Sequence, residues 1–184
     1  GRVFRIGSLS PAGNPALEAV FLEALQRLGY VEGRNFTLER RYADNQLDRL
    51  PGLAAELVTL KSDIVVATGT VAPLAMRNAT TTIPIVIWSA GDPVGSGIVS
   101  SLGRPGGNIT GLTIDSPELA GKRLQLLKEI VPRLARVAVL WNAANPYAAF
   151  VLEETRQAAR LLAIEVDSIE VRSPRDFDTA FRAV

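Results

Sequence analysis

The 184-residue chain contains no cysteine and no histidine. Disulfides, thiolate nucleophiles, Cys/His zinc sites and His-based triads are therefore excluded. A lack of Cys suits an oxidising compartment and a reducing one alike, so it does not fix location. Methionine is nearly as scarce, with Met76 the only one. The chain shows no initiator and no charged segment leading into an apolar run at its start. The expectation is a processed or trimmed form, with any signal peptide or lipid-bearing Cys upstream. An excess of one charge is lacking too. Twenty Lys and Arg stand against 19 Asp and Glu, a net charge of +1. That gives no electrostatic case for nucleic acid or for an anionic membrane. No apolar run approaches the ~18 residues that span a bilayer.

What is present is ordinary globular composition. Hydrophobic residues make up 47% and charged residues 21%, which argues against disorder and allows one or two domains. Val3-Phe4-Arg5-Ile6-Gly7 predicts a first strand, followed by the turn Ser10-Pro11-Ala12-Gly13. Leu17, Val20, Phe21, Ala24, Leu25 and Leu28 then recur at helical spacing, with Gly29 placed as a C′ glycine. Residues 36–42 predict a second strand, and Glu39, Arg40 and Arg41 suit an edge position. Leu50, Leu53, Ala54, Leu57 and Val58 mark the next helix, with Pro51 tolerable only in its first turn. Residues 63–67 predict a buried strand, and Thr68-Gly69-Thr70 opens a third helix. Residues 83–88 and 109–112 predict the fourth and fifth strands. This alternation calls for a parallel sheet covered on both faces.

The pattern then restarts. Ser116 and Pro117 suit the N-cap and N1 positions of a helix that Pro132 ends. Residues 136–141 (RVAVLW) predict a buried strand, and Asn145-Pro146 opens another helix. Residues 164–171 predict a strand, and Ser173-Pro174 starts a last helix bearing Phe177, Ala180 and Phe181. Two clear strands seldom bury enough surface to stand alone. The expected division is a first α/β lobe at 1–115 and a partial second lobe at 116–184, cut short in a chain that continues past Val184. A single domain with an extended sheet is the other option.

No catalytic constellation emerges. There is no G-x-G-x-x-G between a first strand and helix, no G-x-x-x-x-G-K-[ST] loop and no G-x-S-x-G elbow. Gly95-Ser96-Gly97 resembles part of a phosphate loop, but no Lys-Ser/Thr follows. Asp44, Asp48 and Asp63 sit near helix ends, where carboxylates cap or solvate. A binding cleft is better supported. Four loops, 8–14, 68–71, 89–94 and 113–116, should open at the carboxyl edge of the first sheet. Thr68-Gly69-Thr70 offers hydroxyls, close backbone approach and a helix N-terminus for a carboxylate, or is a plain helix start. Asp92 either receives a ligand ammonium or braces its own turn. Asn142 could hydrogen-bond a ligand, Asn145 suits an N-cap, and Tyr147 is an aromatic wall or a helix-surface residue. Trp88 and Trp141 end strands near the proposed cleft, or are core. Gly103-Arg104-Pro105-Gly106-Gly107-Asn108 is turn chemistry.

The distinctive string is 91–112, GDPVGSGIVSSLGRPGGNITGL. With Tyr30-Val31-Glu32-Gly33-Arg34-Asn35, Thr80-Thr81-Thr82-Ile83-Pro84-Ile85-Val86, Gly121-Lys122-Arg123-Leu124 and Arg136-Val137-Ala138-Val139-Leu140-Trp141-Asn142, it resembles the ABC-transporter substrate-binding protein family. The few characterised members of that family bind aromatic amino acids. The resemblance covers most of residues 3–146. It implies a type I periplasmic-binding-protein-like α/β fold: a doubly wound parallel sheet in the first lobe plus an incomplete second α/β lobe. It implies an extracytoplasmic solute receptor, periplasmic and free or lipid-anchored, working with an ABC permease and ATPase. A small carboxylate-bearing ligand would sit between two lobes: an amino acid, with an aromatic one suggested by the characterised members. By the same resemblance the Thr68-Gly69-Thr70 loop and Asp92 would hold its carboxylate and ammonium, and Asn142 would close from the other lobe. The candidate ligand-binding set is Ser10, Thr68, Gly69, Thr70, Ala90, Asp92, Pro93, Ser116, Asn142 and Tyr147. No catalytic residue, metal or cofactor is expected. The effector domain of a transcription regulator shares this fold and is the alternative; a doubly wound enzyme is the third option.

Overall fold

A strand that is apolar on both sides must be covered on both faces, and the segment IVVAT at Ile64–Thr68 is of this kind. In the computed structural model, which describes residues 2–115 and 119–183, it is the middle strand of a five-stranded sheet. The chain divides into two units, Gly1–Ile114 and Asp115–Val184. The first unit holds β1 (Phe4–Ser10), α1 (Pro15–Arg27), β2 (Phe36–Tyr42), α2 (Leu50–Thr59), β3 (Ile64–Thr68), α3 (Val71–Ala79), β4 (Ile85–Gly91) and β5 (Ile109–Asp115).

The strand order is β2-β1-β3-β4-β5. β1 pairs in parallel with β2 and β3, and β3 with β4. The Ile85 N–H donates to the Asn108 C=O at 2.8 Å, and the Thr113 hydroxyl donates to the Ala90 C=O at 2.8 Å. β5 therefore runs in the same direction as β4. β2 lies at the edge of the sheet, as its charged residues predict.

Alternation along β1 sends Ile6 to one face and Leu9 to the other. On the first face Ile6, Phe36, Leu38 and Val66 pack with Phe21, Leu22 and Leu25 of α1. On the second, Leu9, Val65, Ile85 and Ile87 pack with Leu57 of α2 and Met76 of α3. Leu57 and Met76 are fully buried, and truncating such a side chain to Ala costs about 2–5 kcal/mol. The helices fall on opposite faces because α1 carries the chain from β1 outward to β2, whereas α3 carries it from β3 outward to β4. The winding direction thus reverses between β1 and β3.

β4 starts two residues later than predicted and ends three later. The Thr80 hydroxyl accepts the Thr82 and Ile83 N–H groups at 3.3 and 3.2 Å, which holds this segment in a turn. Pro84 has no N–H to give the ladder. At the far end Ser89 pairs with Thr68, which extends the strand to Gly91.

The second unit contains α4 (Leu119–Ile130), β6 (Arg136–Trp141), α5 (Pro146–Leu161), β7 (Glu165–Glu170) and α6 (Phe177–Arg182). β6 and β7 form a two-stranded parallel sheet. Leu124, Ala159 and Ile164 form its small buried centre. The Asn145 side chain accepts the Tyr147 N–H at 3.2 Å, so the predicted cap of α5 is in place. The helix start predicted at Ser116 and Pro117 lies outside the described residues.

One glycine fixes how closely β4 and β5 approach. Gly111 has φ +146°, and a β-carbon there would lie 2.2 Å from the Ile87 carbonyl oxygen. Gly111→Ala should lower unfolding free energy by more than about 2 kcal/mol in denaturant titration. Gly52→Ala, in α2 with open space around it, should gain up to about 1 kcal/mol. A Gly111→Ala loss under about 0.5 kcal/mol would contradict this packing.

Candidate functional site

Where winding reverses, neighbouring crossovers leave in opposite directions and a crevice opens beyond the strand ends. A cavity of about 300 Å³ lies at that place, between β1, β3 and the start of α1. Ser8 and Ser10 of β1 and Thr68 of β3 bring hydroxyls to it. The period of two puts Ser8 and Ser10 on the α1 face. The Ser10 hydroxyl donates to the Ala12 C=O at 2.8 Å and so shapes the β1–α1 turn. The Ser8 and Thr68 hydroxyls make no hydrogen bond among the described residues. Gly69 follows in the left-handed region at φ +76° and lets the chain turn into α3 beside the cavity.

The apolar wall comes from Leu17 and Phe21 of α1 and from Leu38, Val66 and Trp88 of the sheet. Ala67 pairs with Ile87 and Thr68 with Ser89, so Trp88 is the extra residue of a bulge. A bulge re-aims its side chain. The Trp88 ring meets Phe21 with centroids 5.1 Å apart and planes tilted by 60°.

The β2 side of the cavity is charged. Glu18, in the first turn of α1, lines it. Arg40 Nε donates to Glu18 Oε1 at 2.8 Å, and the Tyr42 hydroxyl donates to Glu18 Oε2. Arg40 also donates to both oxygens of Glu32, at 2.9 and 3.1 Å. Burial pushes the Glu18 carboxyl up, but hydrogen bonds from Tyr42 and Arg40 and the Arg40 charge hold it below its ordinary value. The hydrogen bond to Glu32, against burial and with help from Glu18, raises Arg40 further above its usual range. Burial, then the hydrogen bond and charge of Glu18, push the Tyr42 phenol up to about 12.

Of the residues predicted from sequence, Ser10, Thr68 and Gly69 meet at this cavity. Thr70 is buried, and its hydroxyl accepts the Gly91 N–H at 3.3 Å and lies 3.4 Å from the Gly91 C=O, tying α3 to the end of β4. Ala90 is fully buried and its carbonyl accepts the Thr113 hydroxyl. Asp92 stands at φ +37°, with Oδ1 accepting the Gly95 N–H at 2.9 Å. Pro93 is buried, its carbonyl accepts the Ile98 N–H at 2.8 Å, and it lines a second cavity of about 280 Å³ beside β5. In the second unit the Asn142 side chain accepts the Ala144 N–H at 2.9 Å, and Tyr147 is half-buried at the start of α5. Ser116 lies outside the described residues. Ser8, which the sequence placed in the 8–14 loop at the cleft, lines the cavity, whereas Glu18, Phe21 and Tyr42 were not foreseen there. Nothing local announces that Glu18 reaches Arg40 and Tyr42 across more than 20 residues. Among the described residues no group of three or more Asp and Glu side chains converges as a metal site.

The family model described as ABC transporter substrate binding protein matches residues 10–184. A tyrosine-binding protein of Clostridioides difficile is 33% identical over 147 residues, 76% of this chain and 41% of that protein. A conserved domain protein from Vibrio cholerae has a solved structure with TM-score 0.89 at 29% identity, covering 99% of this chain and 62% of that one. An ABC domain from Streptococcus pneumoniae, solved in complex with L-Trp, gives TM-score 0.85 at 22% identity over 98% of this chain and 61% of that one. The last likeness is one of fold alone. Together with the sheet order, these structures give the type I periplasmic-binding-protein α/β fold. The chain spans 41–62% of the length of these relatives.

The charged end of the cavity has a titration signature. A phenol raised in the folded state stabilises the fold below its unfolded pKa of 10.0 and loses that contribution as pH rises through about 12. Glu18 has the opposite sign: its contribution is present above 4.5 and lost as pH falls through its lowered value. Spectrophotometric titration should show one tyrosine ionising near pH 12, and Tyr42→Phe should remove that late step. Loss of an early step, near 10, from the same substitution would contradict the Tyr42–Glu18 bond.

Proposed function

The chain belongs to the ABC transporter substrate-binding protein family, and on that premise we propose that it binds an amino acid as the extracytoplasmic receptor of an ABC importer. Its partners would be the importer's permease and ATPase. The observation that carries the proposal is the cavity at the β1–β3 reversal, where hydroxyls of Ser8 and Thr68, without partners among the described residues, face a wall of Phe21, Leu38 and Trp88. An amino acid presents a carboxylate, an ammonium and a side chain, and needs both kinds of surface. The hydroxyls of Ser8 and Thr68, with the backbone at Gly69, suit the carboxylate; the wall suits an apolar or aromatic side chain. The tyrosine-binding relative, 33% identical, favours an aromatic amino acid. The role is binding without turnover, since no His or Cys stands by to activate the hydroxyls. No helix among the described residues is long and apolar enough to cross a membrane.

Asp92 is proposed as the brace of its loop rather than a ligand contact, because its carboxylate accepts the Gly95 N–H and it does not line the cavity.

A panel of L- and D-amino acids read by thermal shift and calorimetry tests the assignment. At about 100 times Kd a bound ligand adds about 2.7 kcal/mol of stability, a clear shift. One or more L-amino acids should bind and their D-enantiomers should not. Thr68→Val should weaken binding about tenfold, or about 1.4 kcal/mol. Absence of binding by every L-amino acid would overturn the proposal. Asp92→Ala should lower the melting temperature of the free protein and leave Kd within about twofold. A large loss of affinity at unchanged stability would instead put Asp92 in the site.

A further inference from the structure

The cavity is polar in an ordered way across the sheet. Strands lie ~4.8 Å apart, so the residues of β2, β1, β3 and β4 form successive stations along it. Glu18 stands over β2, held by Arg40 and Tyr42. The hydroxyls of Ser8 and Thr68 follow on β1 and β3, and the Phe21–Trp88 pair closes the β4 end. An α-amino acid carries all three groups on one carbon, so a carboxylate held over β1 and β3 leaves the ammonium to turn toward β2 and the side chain toward β4.

We infer that Glu18 is the group that receives the ligand's ammonium, at the β2 end of the cavity. This presupposes that the protein binds an amino acid. The acceptor capacity is there. An ionised carboxylate has about four lone-pair sites, and Arg40 and Tyr42 take one each. The Glu18 side chain is 25% exposed, so its remaining sites are reachable. The charge balance also favours a cation. Among the described residues Arg40 is the one cation paired with Glu18 and Glu32, so one positive charge faces two negative ones. A ligand ammonium brings the cluster to neutrality, and a ligand carboxylate is repelled from it. Tyr42 stays a neutral donor, and Glu18 is held ionised by the bonds that lower its pKa. Asp92 does not line the cavity, so its carboxylate is not placed to meet a ligand there.

Affinity of the protein for an L-amino acid and for the matching acid without the amino group, for example L-phenylalanine and 3-phenylpropionate, decides the matter in wild type and Glu18→Gln. A charge-assisted hydrogen bond is worth roughly 10- to 100-fold in affinity. Wild type should prefer the amino acid by that factor. Glu18→Gln should lose most of the preference by weakening the amino acid while leaving the des-amino acid nearly unchanged. A folding defect would weaken both ligands alike, and Tyr42→Phe, which frees a further acceptor site, should keep the preference. A preference that survives Glu18→Gln overturns the role of Glu18 and leaves the receptor assignment standing. Failure of every L-amino acid to bind overturns both.

Discussion

The parallel pairing of β1 with β3 is the constraint on which the rest of this structure depends. It places the reversal of winding between two adjacent strands. α1 thereby packs on one face, and α2 and α3 share the other. The same pairing sets Ser8 of β1 beside Val66 of β3, so the hydroxylic rim and the apolar wall share one face. A one-residue slip would turn both into the opposite core, against Leu57 and Met76. The location of the cavity is thus a consequence of topology, and its chemistry a consequence of register.

The ion network on β2 contributes little to stability and much to definition. Its members are 25–36% exposed at the side chain, and solvent-screened pairs of that kind are worth about 0–1 kcal/mol. Arg40 is nonetheless fixed by its fork on Glu32, and a planar guanidinium so held fixes its other partner too. Glu18 is therefore pre-oriented at the cavity before any ligand arrives. Pre-orientation removes an ordering cost from binding and carries its value there rather than in folding. The Trp88 bulge plays the matching part at the other end.

Much of the fold was legible in the sequence because its strands are apolar and its helices periodic. β2 and β6 have the predicted bounds, and the charges of Glu39, Arg40 and Arg41 marked the edge. The β4 bounds were not legible, because the Thr80 hydroxyl turn that delays the strand and the Ser89 pairing that prolongs it depend on neighbours. The candidate site was legible only where one segment carries it, as in Thr68-Gly69. Thr70 carries the same hydroxyl as Thr68, yet it turns to Gly91, and no local pattern distinguishes the two. Asp92 reads as ligand contact or brace in one dimension, and its bond to Gly95, which supports the brace, is visible only in the fold. Glu18 is invisible as a cavity residue until β2 is laid beside β1.

The central claim is that ligand enters the crevice between β1 and β3. Backbone amide shifts followed by NMR during titration with a bound amino acid test it most directly. The account predicts the largest changes at Ser8, Thr68, Gly69 and Glu18. Changes gathered instead on residues 92–98, with these amides unmoved, would contradict it.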